Sequence, residues 1–228
     1  MLELRRALAQ RDDAIVSRDR AENGRQLLTR ELHHRVKNTL AVVQAVAGST
    51  ARSATNVEQF QTALSGRIGA LAKSHAVITG DDAQAASLQS LLEVEFGGHA
   101  ETRAARVLLA GPEVKLPSDI AVPLGLAIHE ATTNSAKFGA LSTRNGAVEV
   151  TWNVITREDR EMLILRWLER DGPEVAPPDR RGFGSQMIER VLTAQIGAQV
   201  TTDYNPEGLR IMIEFPLGGP NAPSRLSH

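Results

Sequence analysis

Residues 1 to about 80 contain no proline and are rich in Ala, Leu, Arg, Gln and Glu, which confines the first third of the chain to helix. Met1, Leu4, Leu8 and Ile15 fit a heptad seam that fades through Arg18, Glu22 and Gly24. From Leu28 the pattern sharpens. Leu28, Leu32, Val36, Leu40, Val43 and Ala47 recur every three or four residues and fill an arc of roughly 120° on one side of a helix. The stretch SATN at 53–56 interrupts it, with Thr55 and Glu58 spaced as a capping box. A second helix then places Val57, Phe60, Leu64, Ile68, Leu71, His75 and Ile78 on one face. Residues 1–80 therefore read as a leading helix running into an antiparallel hairpin. A two-helix hairpin buries too little surface alone, so its seam predicts a second copy and a four-helix bundle in a homodimer.

The texture changes after the polar linker TGDDAQAA at 79–86. Ser87 caps a short helix, RVLLAG at 106–111 is strand-like, and residues 117–138 form a long helix with Pro117 in its first turn. Pro123, inside that helix, is expected to loosen or kink its early part. AVEVTWNVI and EMLILRWLE alternate like neighbouring strands about the turn TREDR, and a helix from Gly184 to Ile196 and the strands QVTTDY and LRIMIEF follow. Residues 87–217 thus read as an α/β domain and 218–228 as a disordered tail, making the chain an α+β multidomain protein.

Bulk properties exclude several classes of function. Lys plus Arg number 26 against 27 Asp plus Glu, which argues against a nucleic-acid binder whose affinity comes from phosphate neutralisation. With no cysteine there are no disulfides, thiolate metal sites or cysteine nucleophiles. No apolar run reaches the ~18 residues a membrane span needs, and MLELRRALAQRDD is no signal peptide. The chain reads as cytoplasmic, or as the cytoplasmic part of something longer.

Three segments of the second half carry the chemistry. In HEATTNSAKF, Glu130, Asn134 and Lys137 stand at i, i+4 and i+7 on one helix face. A carboxylate, a carboxamide and an ammonium in line suit a nucleotide phosphate with Mg²⁺: the amide oxygen is a hard ligand, the ammonium meets phosphate, and the carboxylate orients a water or takes a proton. A solvated polar stripe is the competing explanation. In RWLERDGPEV, a strand ends in Glu169 before Asp171 and Gly172. A carboxylate facing a cleft there would accept from the exocyclic amine of adenine, with Gly172 letting backbone approach the base; a charged hairpin exit would look the same. In RRGFGSQ, Gly182, Gly184 and Ser185 open a helix whose free N–H groups suit phosphate oxygens, or form a plain turn.

In this order, HExxxN on a helix, WxE with DG on a strand and GFG opening a helix resemble the ATP-binding domain of the GHKL group. The closest likeness is to the HWE subfamily of sensor histidine kinases, whose signature falls here on His129, Trp167 and Glu169. ELHHRVKNTLAVVQAV at 31–46 resembles the same family's phosphoacceptor box. The likeness covers about residues 28–215. It implies that Asn134 ligates Mg²⁺, Glu130 polarises the reacting centre, Lys137 contacts phosphates, Glu169 reads adenine, and Gly182 and Gly184 form the phosphate loop. His129 stands beside Glu130, in contact with the nucleotide or packed behind its pocket, and Trp167 fills the core beneath adenine. Phe138 stands where the family often has Tyr, and Asp171 where Gly is usual. The short segment from Gly172 to Gly182 leaves little room for an ATP lid and implies looser nucleotide closure.

Geometry separates the two adjacent histidines. With Leu32 at zero and ~100° per residue, the apolar arc centres near 20°, His33 near 100° and His34 near 200°. A phosphoacceptor must be reached by bulky partners, so His34 is the expected acceptor and His33 packs at the bundle edge. Glu31, one turn earlier, is placed to hold the other ring nitrogen of His34, and Arg35 and Lys37 to steady phosphate charge or solvate the helix. His75 belongs to the second helix's seam, His99 and His228 carry no pattern, and Trp152 reads as sheet packing. The function implied is an ATP- and Mg²⁺-dependent histidine kinase core that passes phosphate to an aspartate of a response-regulator receiver domain, with a sensor domain upstream of the N-terminal helix. The alternatives are a dimeric scaffold or phosphotransfer protein with a degenerate nucleotide site, and a GHKL ATPase dimerised by the hairpin.

Overall fold

The computed structural model describes residues 22, 25, 26, 29, 33, 36, 37, 39–80, 85–97, 106–177 and 183–218. The chain divides into two compact units, Met1–Ala41 and Val42–His228. The sequence places its divide at the polar linker instead, so the second hairpin helix belongs, by compactness, with the α/β half.

Every described position of the first unit is helical. Thr29 Oγ1 donates to Arg25 O at 2.8 Å, the back-bond a helical threonine makes. Val36 and Leu40, two positions of the expected seam, are 56% and 57% exposed, and His33 is exposed. Glu31, His34 and Arg35 lie outside the described residues.

The second unit opens with helix α1 (residues 42–53), which buries Val42, Val46, Ser49 and Thr50. Helix α2 (Val57–Gly80) follows a three-residue break. Its cap is one residue later than the sequence suggests. Asn56 Oδ1 accepts from Gln59 N at 2.8 Å, and Gln59 Oε1 reaches back to Thr55 N at 2.7 Å, so Asn56 and Gln59 do the work assigned to Thr55 and Glu58. The buried face of α2 is also rotated from the expected one. Arg67, Ala70, Leu71 and Ser74 are buried, while Val57 and Ile68 are exposed.

Strand β1 (Ala85–Ser87) and helix α3 (Leu88–Phe96) come next, with Ser87 accepting from Ser90 N as the expected N-cap. Strands β2 (Val107–Ala110) and β3 (Lys115–Pro117) lead into helix α4 (Ser118–Lys137). β1 and β3 pair in a two-stranded antiparallel sheet that three-residue strands give the sequence no means to announce. Helix α4 is continuous through Pro123, whose missing N–H removes one internal bond from its second turn. A 3₁₀ turn (Ala140–Ser142), strands β4 (Ala147–Arg157) and β5 (Arg160–Arg170), helix α5 (Phe183–Ile196) and strands β6 (Gln199–Asn205) and β7 (Gly208–Pro216) complete the unit.

Five strands form one mixed sheet in the order β2-β4-β5-β7-β6, with β2 parallel to β4 and every other pair antiparallel. The β4–β5 hairpin turns at Glu158 and Asp159, both with positive φ (51° and 59°), a geometry whose twist matches its strands. One face of the sheet packs its alternate side chains, Val148, Val150, Trp152, Leu163, Leu165, Trp167, Ile213 and Phe215, into a core shared with Leu88, Leu91, Leu92, Ile120, Leu124, Leu126 and Leu192 of the helices. Trp152 packs in the sheet as expected and donates its Nε1–H to Pro112 O at 2.8 Å. No helix among the described residues is long and apolar enough to cross a membrane.

Helix α4 sits at the centre of the unit, packed on α2, α3 and α5. Gly125 makes the α2–α4 approach possible, because a Cβ there would overlap Ser74 Oγ. That closeness turns the polar half of α4 toward α2 and creates the site.

Candidate active site

A cleft of about 870 Å³ lies between the N-terminal half of α2 and the C-terminal half of α4, within the range of small-molecule sites. Helical spacing brings Glu130, Asn134 and Lys137 onto its wall as the sequence predicts, and His129 and Thr133 join them. Burial falls along the line: Glu130 is buried, Asn134 half-buried and Lys137 exposed. Phe138 ends the helix at the cleft's rim, 75% exposed, with its N–H donating to Asn134 O at 2.8 Å.

Glu130 has a partner that sequence reasoning missed. Arg67 of α2 donates from Nε to Glu130 Oε1 at 2.6 Å and from Nη2 to Oε2 at 2.9 Å, with the two side chains only 10% and 8% exposed. A third arm, Nη1, reaches Thr50 Oγ1 of α1 at 2.7 Å. One signal for Arg67 existed in the sequence: a cation between Leu64 and Leu71 on an otherwise apolar face needs a buried anion. Which anion it was lay 63 residues away.

His129 has a carboxylate behind it. Its Nδ1 lies 2.9 Å from Glu95 Oε2, and Glu95 comes from the buried side of α3. The imidazole is therefore fixed at the wall of the cleft from α3.

The strand-end segment takes a different place. Glu169 is 2% exposed, so the carboxylate expected to face a cleft points inward. A buried carboxylate needs donors, and it has two: Ala140 N at 2.6 Å to Oε2, and Trp167 Nε1 at 3.2 Å to Oε1. Trp167 stacks on Phe96 with ring centroids 5.6 Å apart. Gly172 presses on the same 3₁₀ turn, where a Cβ would come 2.7 Å from Ala140 Cα. Asp171 adopts φ 55°, the left-handed conformation that explains a glycine preference and that Asp tolerates. Thr143 Oγ1 donates to Asp171 O at 3.2 Å, tying the turn after α4 to the end of β5.

Asp171 and Gly172 also line a second cleft of about 570 Å³ with Gly208 and Arg210. The structure thus gathers Glu130, Asn134, Lys137 and His129 in one cleft, and holds Trp167 and Glu169 behind the turn that follows them. Gly182 lies outside the described residues. Gly184 and Ser185 fall in the first turn of α5, which starts at Phe183, one residue before the expected Gly184.

Comparison with known proteins shows what the chain is similar to. Residues 31–113 match the protein-family model described as HWE histidine kinase. A blue-light-activated histidine kinase of Brucella anthropi is 34% identical over 203 residues, covering 89% of this chain and 41% of that protein. Its namesake in Brucella ovis is 32% identical over 203 residues, covering 89% and 42%. The chain therefore spans about two fifths of the length of these relatives.

Among solved structures, the Erythrobacter litoralis EL346 blue-light activated histidine kinase superposes with a TM-score of 0.60 at 20% identity, covering 81% of this chain and 59% of that chain. The histidine kinase domain of EL346 alone gives 0.53 at 19% identity, covering 80% and 95%. The arrangement of helices followed by a mixed α/β sheet is therefore the fold shared with these two structures. Residues 31–113 of this chain thus match an HWE histidine kinase domain, and the chain is similar to histidine kinases along 89% of its length.

Proposed function

We propose that the chain is an autophosphorylating histidine kinase core that moves the γ-phosphoryl group of ATP to His34 and on to an aspartate of a response-regulator receiver domain. The observation that carries this is the convergence of Glu130, Asn134 and Lys137 on one cleft, in a chain whose residues 31–113 match the HWE histidine kinases.

The donor set suits a magnesium nucleotide. Asn134 offers a carboxamide oxygen and Lys137 a positive charge, which fits an ion held mainly by phosphates and water with one or two protein ligands. When bound, Mg²⁺ neutralises phosphate charge. Lys137, exposed at the mouth, meets the phosphates, and Asn134, half-buried, fixes where they lie. The neutral imidazole of His34 attacks the γ-phosphorus in line; an N–P bond forms, the β–γ P–O bond breaks, and ADP leaves. Glu31 holds the other imidazole nitrogen, and Glu130 polarises the reacting centre. His129, backed by Glu95, fixes the cleft wall, and Gly182, Gly184 and Ser185 cradle phosphate at the start of α5. Glu169 acts from behind: by holding Ala140 N it sets the turn after α4, while Trp167, Asp171 and Gly172 close the base side.

As in the sequence reading, the working unit is a homodimer in the cytoplasm, receiving its signal through the N-terminal helix from a sensor domain upstream. A chain that spans two fifths of its relatives leaves room for one. Incubation with γ-labelled ATP and Mg²⁺ tests the activity. Protein-bound label that is lost in acid and kept in alkali is the expected result; release of inorganic phosphate with no protein label overturns it.

A further inference from the structure

We propose that Arg67 is a positioning residue for Glu130, supplied to the kinase site by helix α2 from outside the α4 segment that carries Glu130, Asn134 and Lys137. It rests on the kinase reading and adds to it the group that aims the reacting-centre carboxylate.

The geometry has three parts. First, the contact is a fork: Nε and Nη2 meet separate oxygens of Glu130 at 2.6 and 2.9 Å, which fixes the carboxylate plane as well as its position. Second, Arg67 is itself held. Its Nη1 donates to Thr50 Oγ1 at 2.7 Å, and Thr50 spends its own proton on Val46 O at 2.7 Å, so the hydroxyl oxygen can only accept from the guanidinium. Third, Glu130 lines the cleft, and each of its oxygens retains capacity for a second acceptor contact. The carboxylate is thus clamped from the α1–α2 side while remaining part of the wall that faces Asn134 and Lys137.

Stability alone gives little reason for this arrangement. A buried ion pair seldom outperforms apolar residues of the same volume, and α2 has Ala70, Leu71 and Ser74 to bind it to α4. What the pair adds is orientation. A misplacement of about 1 Å at a reacting group can cost ~10²-fold in rate, and Arg67 is the side chain that prevents it at Glu130.

The test is a cycle of autophosphorylation rates in the full chain. Initial label incorporation at saturating ATP is measured for wild type, Arg67→Met, Glu130→Gln and the double variant, alongside ATP affinity and melting temperature. Arg67→Met is expected to lower the saturated rate roughly 10- to 100-fold while ATP affinity stays within about threefold, since Asn134 and Lys137 are untouched. Arg67→Lys, with charge but no fork, falls between. In the Glu130→Gln background the effect of Arg67→Met disappears, because Arg67 acts through that carboxylate. Thr50→Val, which removes only the hydroxyl, gives a smaller loss that also disappears in Glu130→Gln, and it serves where Arg67→Met fails to fold. Losses that persist undiminished in the Glu130→Gln background show a structural role and overturn the proposal, as does an Arg67→Met rate within twofold of wild type. A wild-type chain that takes no label overturns the kinase reading and this proposal with it.

Discussion

Replacing Glu169 by Gln keeps the side chain's size and removes one acceptor and the charge. In the structure its two oxygens each serve a different buried donor, Ala140 N–H at 2.6 Å and Trp167 Nε1–H at 3.2 Å. Glutamine offers one oxygen, so its NH₂ must face one of those donors. A hydrogen bond to a charged group is worth about 1.5–3 kcal/mol, and a buried donor left unmatched costs about 1–3 kcal/mol. The weaker indole bond is the one to be sacrificed, which sets the expected loss near 3 kcal/mol. In a domain of this size each kcal/mol moves the melting temperature by roughly 2–4 °C, so the variant should melt about 6–12 °C lower. Scanning calorimetry without nucleotide reads this directly, and ATP affinity measured well below both transitions should change by less than about threefold, since ~1 kcal/mol of binding is fivefold or so. A variant that melts within a degree of wild type but loses ATP affinity tenfold would refute the inward role of Glu169. The carboxylate would then be contacting the base.

Other outcomes follow from the same contacts. Asn134→Ala should abolish the Mg²⁺ dependence of nucleotide binding while leaving the melting temperature nearly unchanged, as titration calorimetry with and without Mg²⁺ will show. Gly125→Ala puts a Cβ onto Ser74 Oγ; overpacking of about 1–3 kcal/mol, less up to ~1 kcal/mol of helix propensity, leaves a net loss that denaturant unfolding detects and that Ser74→Ala in the same chain largely restores. At Asp171, with φ 55°, valine should cost about 1–2 kcal/mol in the same assay and glycine nothing, because only the branched side chain strains the left-handed backbone.

Much of this site was legible because it is local. The line of Glu130, Asn134 and Lys137 follows from helical period alone, and the hairpin strands β4 and β5 from alternation. The inward direction of Glu169 was also legible, though the strand-end position suggested otherwise. Leu163, Leu165 and Trp167 are buried at every second residue of β5, and Glu169 continues that parity, so a strand that buries its tryptophan buries the glutamate too. The cap at Asn56 was missed by one residue because Thr55-Glu58 and Asn56-Gln59 satisfy the same spacing, and only the side-chain bonds choose between them.

What the sequence withholds is long-range pairing. Arg67 meets Glu130, and Glu95 meets His129, across separations of 63 and 34 residues. Neither pair shares an element, and no periodicity connects them. The expected face of α2 erred for the same reason. Its burial is set by the approach to α4 that Gly125 permits, not by the most apolar stripe of α2 itself.

The most direct test of phosphoryl transfer to the N-terminal helix is the labelling of His34→Ala by γ-labelled ATP, run beside wild type with ATP binding confirmed in both. Kinase activity at His34 predicts that the variant binds nucleotide normally and incorporates no label. Acid-labile label at the wild-type level in His34→Ala would contradict it.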